Sequence, residues 1–345
     1  MIKQDWIKIM NTQDFLEIIL VTYNRKGHLE STFKQIFAQD SPIKNLPITV
    51  LNNKSTDGTS ELIEYYKSKY PNIKHIIHNK NIGGNGNIAR AFELARAKYV
   101  WVLCDDDYYN WDNWAEIENA MNDNSDIIFL CTQLISNKSN ISQLLHQATL
   151  IPACIYKTER ITDTILQNII NTTHTMFSQV SLSADILVNN PGKYFICTND
   201  IVKRGVHHEE TPDTTTRGSK IEDVHPIMQN VFWHVGFIEA IQIIKNKKLR
   251  YKVIEEVNFN DKEDESFMDY LMFILKFNKN NRNSSLYNIL SLYSNFNLQQ
   301  RCCLILALIM FNTIYFSKQH NYIVIHIFSL LKTKIWNLNW FRFYK

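Results

Sequence analysis

The chain has 345 residues, 45% of them hydrophobic and 21% charged, with a net charge of +3. That is the composition of a globular protein with room for two domains, or for one large α/β domain with an appendage, and it buries a full core without disulfide staples. So small a net charge gives no overall preference for polyanions, and no nucleic-acid partner is expected. The six cysteines, Cys104, Cys131, Cys154, Cys197, Cys302 and Cys303, show no C-x-x-C spacing. Four of them lie in apolar surroundings, so reduced thiols are expected rather than a disulfide frame or a zinc site. Met1 to Asn11 carries lysines but no apolar run of signal-peptide length, and a cytoplasmic location is expected.

In chain order, Glu17 to Thr22 is an apolar run that predicts a buried strand, with Tyr23 to Gly27 as its polar turn. Leu29, Phe33, Ile36 and Phe37 then recur at helical spacing. Pro47 to Asn52 predicts a second strand, Asn53 to Thr59 its turn, and Glu61 to Lys69 a helix that Pro71 stops. A short third strand, Ile73 to His78, is followed by the Gly- and Asn-rich Asn79 to Asn87 and a helix over Ile88 to Ala97. Tyr99 to Leu103 has no helical period and reads as a strand buried on both faces, running into Cys104-Asp105-Asp106-Asp107. A helix around Asn113 to Asn122 and a strand over Asp126 to Cys131 complete the first 135 residues. Strands alternating with helices of about ten residues predict a doubly wound, mostly parallel sheet.

The middle third predicts a strand at Ile151 to Lys157, helices over Ile161 to Ile170 and Met176 to Leu187, a polar stretch from Thr198 to Ser219 with the character of a mobile lid, and a helix over Val224 to Ile244. From Tyr270 to Lys345 there is no Asp or Glu, against nine Lys and Arg, with apolar runs at Cys302 to Phe311 and Tyr322 to Leu331. Neither run has the ~20 residues of a spanning helix. With Trp336, Trp340, Phe341, Phe343 and Tyr344 set among Lys334, Arg342 and Lys345, this tail reads as interfacial helices on an anionic leaflet, at the inner face of the membrane. A basic helical cap or a homodimer contact is the alternative. The expected organisation is 1–135 and 136–260 as two halves of one domain and 261–345 as a helical basic extension.

In an open α/β sheet, ligands bind beyond the carboxyl ends of the strands. Three successive Asp there form a hard-oxygen site for Mg2+ or Mn2+, although an acidic turn or helix cap explains such a triplet taken alone. The other strand ends bring Tyr23, whose ring offers a flat face to a nucleobase, Asn52, whose amide pairs with a base edge, Gly83, Gly84 and Gly86, whose backbone approaches a phosphate or sugar closely, and Arg90, a fork for phosphate. This set suits a nucleoside diphosphate. No G-x-G-x-x-G follows the first strand, and there is no P-loop.

Val21-Thr22-Tyr23-Asn24-Arg25, Asn52 to Thr59, the segment from Asn81-Ile82-Gly83-Gly84 to Arg90, and the Asp-rich turn occur in the order and spacing of one family. Residues 16 to about 132 resemble the catalytic domain of family 2 glycosyltransferases, which have the GT-A fold. The resemblance implies inverting transfer of a sugar from a nucleotide donor, a UDP-sugar in the favoured case, to a glycan or lipid-linked acceptor in surface polysaccharide or lipooligosaccharide synthesis, with a divalent cation. It implies donor contacts by Thr22, Tyr23, Asn24, Arg25, Asn52, Asp57, Gly83, Gly84, Arg90, Asp105 and Asp106. Asn52 stands where the family usually has a base-reading Asp. The Asp-x-Asp motif fits in two registers, one using Asp105 and Asp107 as metal ligands, the other placing Cys104 at the first Asp and Asp106 at the ligand. Alternation along an extended chain favours Asp105 and Asp107.

Inversion needs a base for the acceptor hydroxyl. Asp223, with Glu222, is the expected base, in competition with Glu209, Glu210 and Asp213 and with a helix-capping role for the pair; His234 is a candidate further ligand. A nucleotidyltransferase, or a nucleotide-sugar-binding protein without catalysis, are the competing readings. Thr22 to Gly27 lacks the Gly-rich basic loop of the former, and the intact Asp triplet argues against the latter.

Overall fold

The computed structural model describes residues 15–130, 139–203, 233–256, 271 and 282–316. They fall into two compact units, one up to Arg250 and one from Tyr251 onward.

In the first unit, strands β1 (Leu16–Thr22), β2 (Ile48–Asn52), β3 (Ile73–Ile77) and β4 (Tyr99–Leu103) alternate with helices α1 (Lys26–Ile36), α2 (Thr59–Lys69) and α3 (Gly84–Leu94). Then come β5 (Tyr108–Tyr109), α4 (Trp114–Asn122), β6 (Ile127–Phe129), α5 (Ile141–Gln147), β7 (Cys154–Lys157), α6 (Asp163–Asn171), α7 (Val180–Ala184), β8 (Tyr194–Ile196), β9 (Val202–Lys203), α8 (Trp233–Ala240) and α9 (Lys247–Glu256), which runs past Arg250 into the second unit. One seven-stranded sheet has the order β3-β2-β1-β4-β7-β6-β8, and β5 pairs with β9 in a separate ribbon. The β1–β2, β2–β3, β1–β4 and β6–β8 pairs are parallel, whereas β7 runs antiparallel to both neighbours. The sheet is thus mostly parallel, as expected. The reversal at β7 had no sequence signal, because a helix separates it from β6 just as in the parallel units.

The core follows from the apolar patterns. Ile18, Ile19 and Leu20 of β1 and all five residues of β4 are buried, as central strands covered on both faces must be. α1 turns Leu29, Phe33 and Ile36 inward, and Phe33 packs on Tyr66 of α2 with ring centroids 4.5 Å apart. Trp101, at the centre of β4, is fully buried and donates its indole N–H to the Pro152 carbonyl at 2.8 Å. Satisfying that donor lets the largest side chain sit in the core without a desolvation penalty.

The expected helix over Met176 to Leu187 is shorter and different in kind. Met176 takes a left-handed conformation (φ 70°), α7 starts at Val180, and Asp185–Asn189 is wound as a π-turn. Part of the polar stretch from Thr198 is ordered structure rather than a loop. Ile201 and Val202 are buried, β9 pairs with β5, and the Thr198 amide donates to Glu116 at 2.8 Å. The rest of the proposed lid, residues 204–219, lies outside the described residues, as does 224–232 of the helix expected after it.

His174 fastens α8 to the unit through Glu239, Nε2 to Oε2 at 2.8 Å. That hydrogen bond raises the imidazole above its ordinary value, against the opposing effect of burial. A folded pKa above the unfolded one stabilises fully below the unfolded value of about 6.5, and this is lost as pH rises through the folded value. The expected result is that His174→Gln lowers Tm clearly at about pH 5.5 and little at about pH 9. An equal deficit at both would show that the pair contributes no pH-dependent stability.

The second unit contains α10 (Arg282–Asn295) and α11 (Leu298–Phe316). Asn297 and Gln300 exchange amide hydrogen bonds at the start of α11, a box of the kind that opens helices. Among the described residues no helix is long and apolar enough to cross a membrane. The Tyr322 to Leu331 run and the aromatic residues after it lie outside the described residues.

Candidate active site

Parallel pairing aligns the ends of β1, β2 and β4 on one edge of the sheet. Thr22 is in register with Asn52, and Leu20 with Leu103. The chain leaves β4 at Leu103, so Cys104 to Asp107 sit on that edge, with a bend at Asp105-Asp106.

The carboxylates are held from β1 and α1. Asp105 is 2% exposed. Its Oδ2 accepts the Thr22 hydroxyl at 2.6 Å, its Oδ1 meets Arg25 Nη1 at 3.0 Å, and its carbonyl accepts the Thr32 hydroxyl at 2.9 Å. The other guanidinium nitrogen of Arg25 reaches Asp106 at 2.8 Å. Gln35 donates to the Asp107 carbonyl at 3.3 Å and accepts the Tyr109 amide at 3.0 Å, fixing the turn where it becomes β5. Burial pushes the Asp105 carboxyl up to about 7, with Arg25 opposing and Asp106 adding to the rise. Burial and then Asp107, Asp106 and Asp105 drive the Cys104 thiol well above its ordinary range, and Tyr109 rises for the same reasons. Burial works against the Arg25 charge, but Asp105 and Asp106 outweigh it. Arg25 is thus shared between Asp105 and Asp106.

A second network shapes the rim. Asn24, in the left-handed region at φ 49°, accepts the Thr56 amide at 2.7 Å, and its own amide donates to Ser55 Oγ at 2.9 Å. Asp57 accepts the amides of Lys26 at 2.9 Å and Thr59 at 3.1 Å, tying together the starts of α1 and α2. Burial alone would raise its pKa, but these N–H groups and the Thr59 hydroxyl hold it below the ordinary carboxylate value. Asn52 is fully buried, its oxygen accepting the Ser55 amide and its NH2 donating to Ser60, each at 2.8 Å. Its amide is therefore spent on the turn, where the sequence suggested a contact to a base edge. Asn53 donates to Asn81 Oδ1 at 2.7 Å and accepts the Ile82 amide at 2.9 Å, positioning Gly83. Gly83 sits at φ 78°, ψ 158°, a region that essentially only glycine enters. Gly84 follows as the first residue of α3.

Thr22, Asn24, Arg25, Asn52, Asp57, Gly83 and the Asp triplet thus lie on one edge, where Tyr23 stands partly exposed. Arg90 does not join the carboxylates; it is exposed on α3 and paired with Glu93. Thr32 and Gln35 were missed by sequence reasoning, whereas Asn53, Ser55 and Asn81 lay inside the quoted motifs without a role of their own. The available signal was Thr32, a hydroxyl set among the inward-facing Leu29, Phe33 and Ile36 of α1. Glu222 and Asp223, with Glu209, Glu210 and Asp213, lie outside the described residues, and so does the side chain of His234.

Cys104, Asp106 and Asp107 each bring a ligand atom to a point where all three lie within 4.8 Å of one another. Asp105 is not in this group. The alternation that favoured Asp105 with Asp107 requires extended backbone, and the strand ends before the turn. Two carboxylates and a sulfur fit a divalent cation.

The sheet order and its flanking helices define a GT-A fold. Residues 17–184 match the model of Glycosyl transferase family 2. The abequosyltransferase RfbV of Salmonella typhimurium is 30% identical over 117 residues, 34% of this chain and 35% of that one. A GalNAc(5)-diNAcBac-PP-undecaprenol beta-1,3-glucosyltransferase of Campylobacter jejuni is 33% identical over 93 residues, 27% of this chain and 29% of that one. These matches span about a third of the curated relatives' length. The crystal structure of S. aureus TarS 1-349 in complex with UDP superposes over 89% of this chain and 92% of that one, with a TM-score of 0.52 at 14% identity. Residues 17–184 belong to glycosyl transferase family 2.

Proposed function

We propose that the protein transfers a sugar from a nucleoside diphosphate donor, UDP-sugar favoured, to a hydroxyl of a glycan or lipid-linked acceptor, with inversion and the help of a divalent cation, in surface polysaccharide or lipooligosaccharide synthesis. The carrying observation is the carboxylate cluster at the end of β4, on the sheet edge where α/β folds bind ligands. The relatives support the substrate classes. One is named an abequosyltransferase, another a glucosyltransferase of an undecaprenol-linked substrate, and TarS has been crystallised with UDP and with UDP-GlcNAc.

Asp106 and Asp107 would hold the cation, which when bound offsets the charge of the departing diphosphate. Arg25 keeps Asp105 and Asp106 in place, and the Asn24–Ser55–Asp57 contacts fix the two loops between which a nucleoside would lie. Transfer also needs a base for the acceptor proton, and Asp223, with Glu222 beside it, is our choice.

Incubation with a panel of nucleotide sugars and Mn2+ or Mg2+ is expected to release nucleoside diphosphate from one donor, and EDTA to stop it. Release of pyrophosphate from a nucleoside triphosphate and sugar phosphate would instead mark a nucleotidyltransferase. Donor binding without turnover across the acceptor panel would mark a binding protein.

The acceptor class gives the second unit a role at a lipid surface. On α11, Leu298, Cys302, Ile305 and Ile309 are exposed at intervals of four, three and four residues, which places them on one face, while Gln300, Cys303, Leu304 and Ala307 are buried. The chain beyond Tyr270 carries nine cations and no acid. Full-length protein is expected to bind vesicles containing anionic lipid, less tightly at high salt, and Leu298→Asp with Ile305→Asp to release most of it. Equal, weak binding to neutral and anionic vesicles would remove the membrane role.

A further inference from the structure

Cys104 is the first residue past β4, and its sulfur stands with the oxygens of Asp106 and Asp107 inside a 4.8 Å cluster. The remaining carboxylate is committed elsewhere, to Thr22 and Arg25. A cation at the cluster would meet sulfur as well as oxygen.

We propose that Cys104 is a direct ligand of the cation together with Asp106 and Asp107, so that the site takes an ion that tolerates sulfur, of the Mn2+, Co2+ and Zn2+ class, in preference to Mg2+. This rests on the metal-assisted reading above and assigns its ligands. When the sulfur–metal bond forms the S–H bond breaks and the proton passes to solvent water, with no change in oxidation state. Mg2+ demands oxygen ligands in near-octahedral array and gives up water reluctantly, so a site offering sulfur as one of its donors serves it poorly. The assignment follows the register in which Cys104 occupies the first position of the motif and Asp106 the ligand position.

The test is spectroscopic. Co2+ and Cd2+ are titrated into the full chain, and the thiolate-to-metal charge-transfer band in the near ultraviolet is recorded, with Mn2+ binding followed separately by electron paramagnetic resonance. The expected result is a band saturating at a single equivalent, displaced by Mn2+, retained in Cys302→Ser and lost in Cys104→Ser and Asp106→Asn. Cys104→Ser should bind Cd2+ on the order of tenfold more weakly and Mg2+ about as the unaltered chain does. Should Cys104→Ser fail to fold, displacement of the band by Mn2+ and its loss in Asp106→Asn still decide the matter. Mn2+ bound with no thiolate band, or a band undiminished in Cys104→Ser, overturns the role of Cys104 alone. No dication bound at all overturns it together with the metal-assisted reading.

Discussion

Asp106→Ala and Asp107→Ala are each expected to lower kcat/KM for sugar transfer by about a thousandfold, and Asp106→Ala to leave the metal-free protein as stable as before. The size follows from what a bound dication contributes: stabilising a departing diphosphate is worth several kcal/mol, and about 4 kcal/mol corresponds to three orders of magnitude in rate. The stability expectation has a separate origin. Asp106 is partly exposed and shares its guanidinium with Asp105, and removing one of three crowded carboxylates relieves repulsion. Asp105→Ala should behave differently, because it strips the partner from both Thr22 and Arg25 and so lowers Tm as well. Steady-state kinetics beside thermal melts separate the cases. Near-normal turnover in Asp106→Ala or Asp107→Ala would sink the metal site, and unchanged Tm in Asp105→Ala would sink its structural role.

Arg25→Met should cost about 3 kcal/mol of folding stability, since breaking a buried ion pair from one side leaves the other charge without compensation. Side-chain exposure is 18% for Arg25 and 3% for Asp105, so solvent relieves little of it. Two contacts disappear together, at 3.0 Å to Asp105 and 2.8 Å to Asp106, and the turn after β1 loses its tie to the turn after β4. Saturating Mn2+ should restore part of the loss by mass action, since binding to the folded state alone adds RT ln(1 + [L]/Kd). Urea denaturation with and without Mn2+ checks both statements. A loss under about 1 kcal/mol would mean that Arg25 behaves as a surface residue.

The parallel half of the sheet was legible because its apolar runs are long and each ends in a polar turn. Leu16–Thr22, Ile48–Asn52 and Tyr99–Leu103 fall within a residue or two of the expected strands. The direction of β7 was not legible, since direction depends on which neighbours a strand finds in space and leaves no mark on its four residues. Which carboxylates cluster did not follow from sequence for a related reason: the rule of alternating side chains holds in a strand, and β4 ends at Leu103, one residue before Cys104. The clustered strand-end groups were readable as a set. Their partners were less so, because Thr32 and Gln35 lie more than 70 residues from the carbonyls they hold, and such a pairing is visible only after the chain has closed.

The antiparallel seam at β7 has a consequence for how the chain is made. By the time Leu103 has been synthesised, β1, β2 and β3, which form the sheet on one side of β4, already exist. The other side of β4 must wait for Cys154–Lys157, with the 50 residues 104–153 between. In that interval Tyr-Val-Trp-Val-Leu is an open edge strand of five apolar residues with unpaired N–H and C=O groups, the kind of template on which nascent chains stick to one another. The charged residues just past it, Asp105 to Asp107, stand where gatekeepers against aggregation stand.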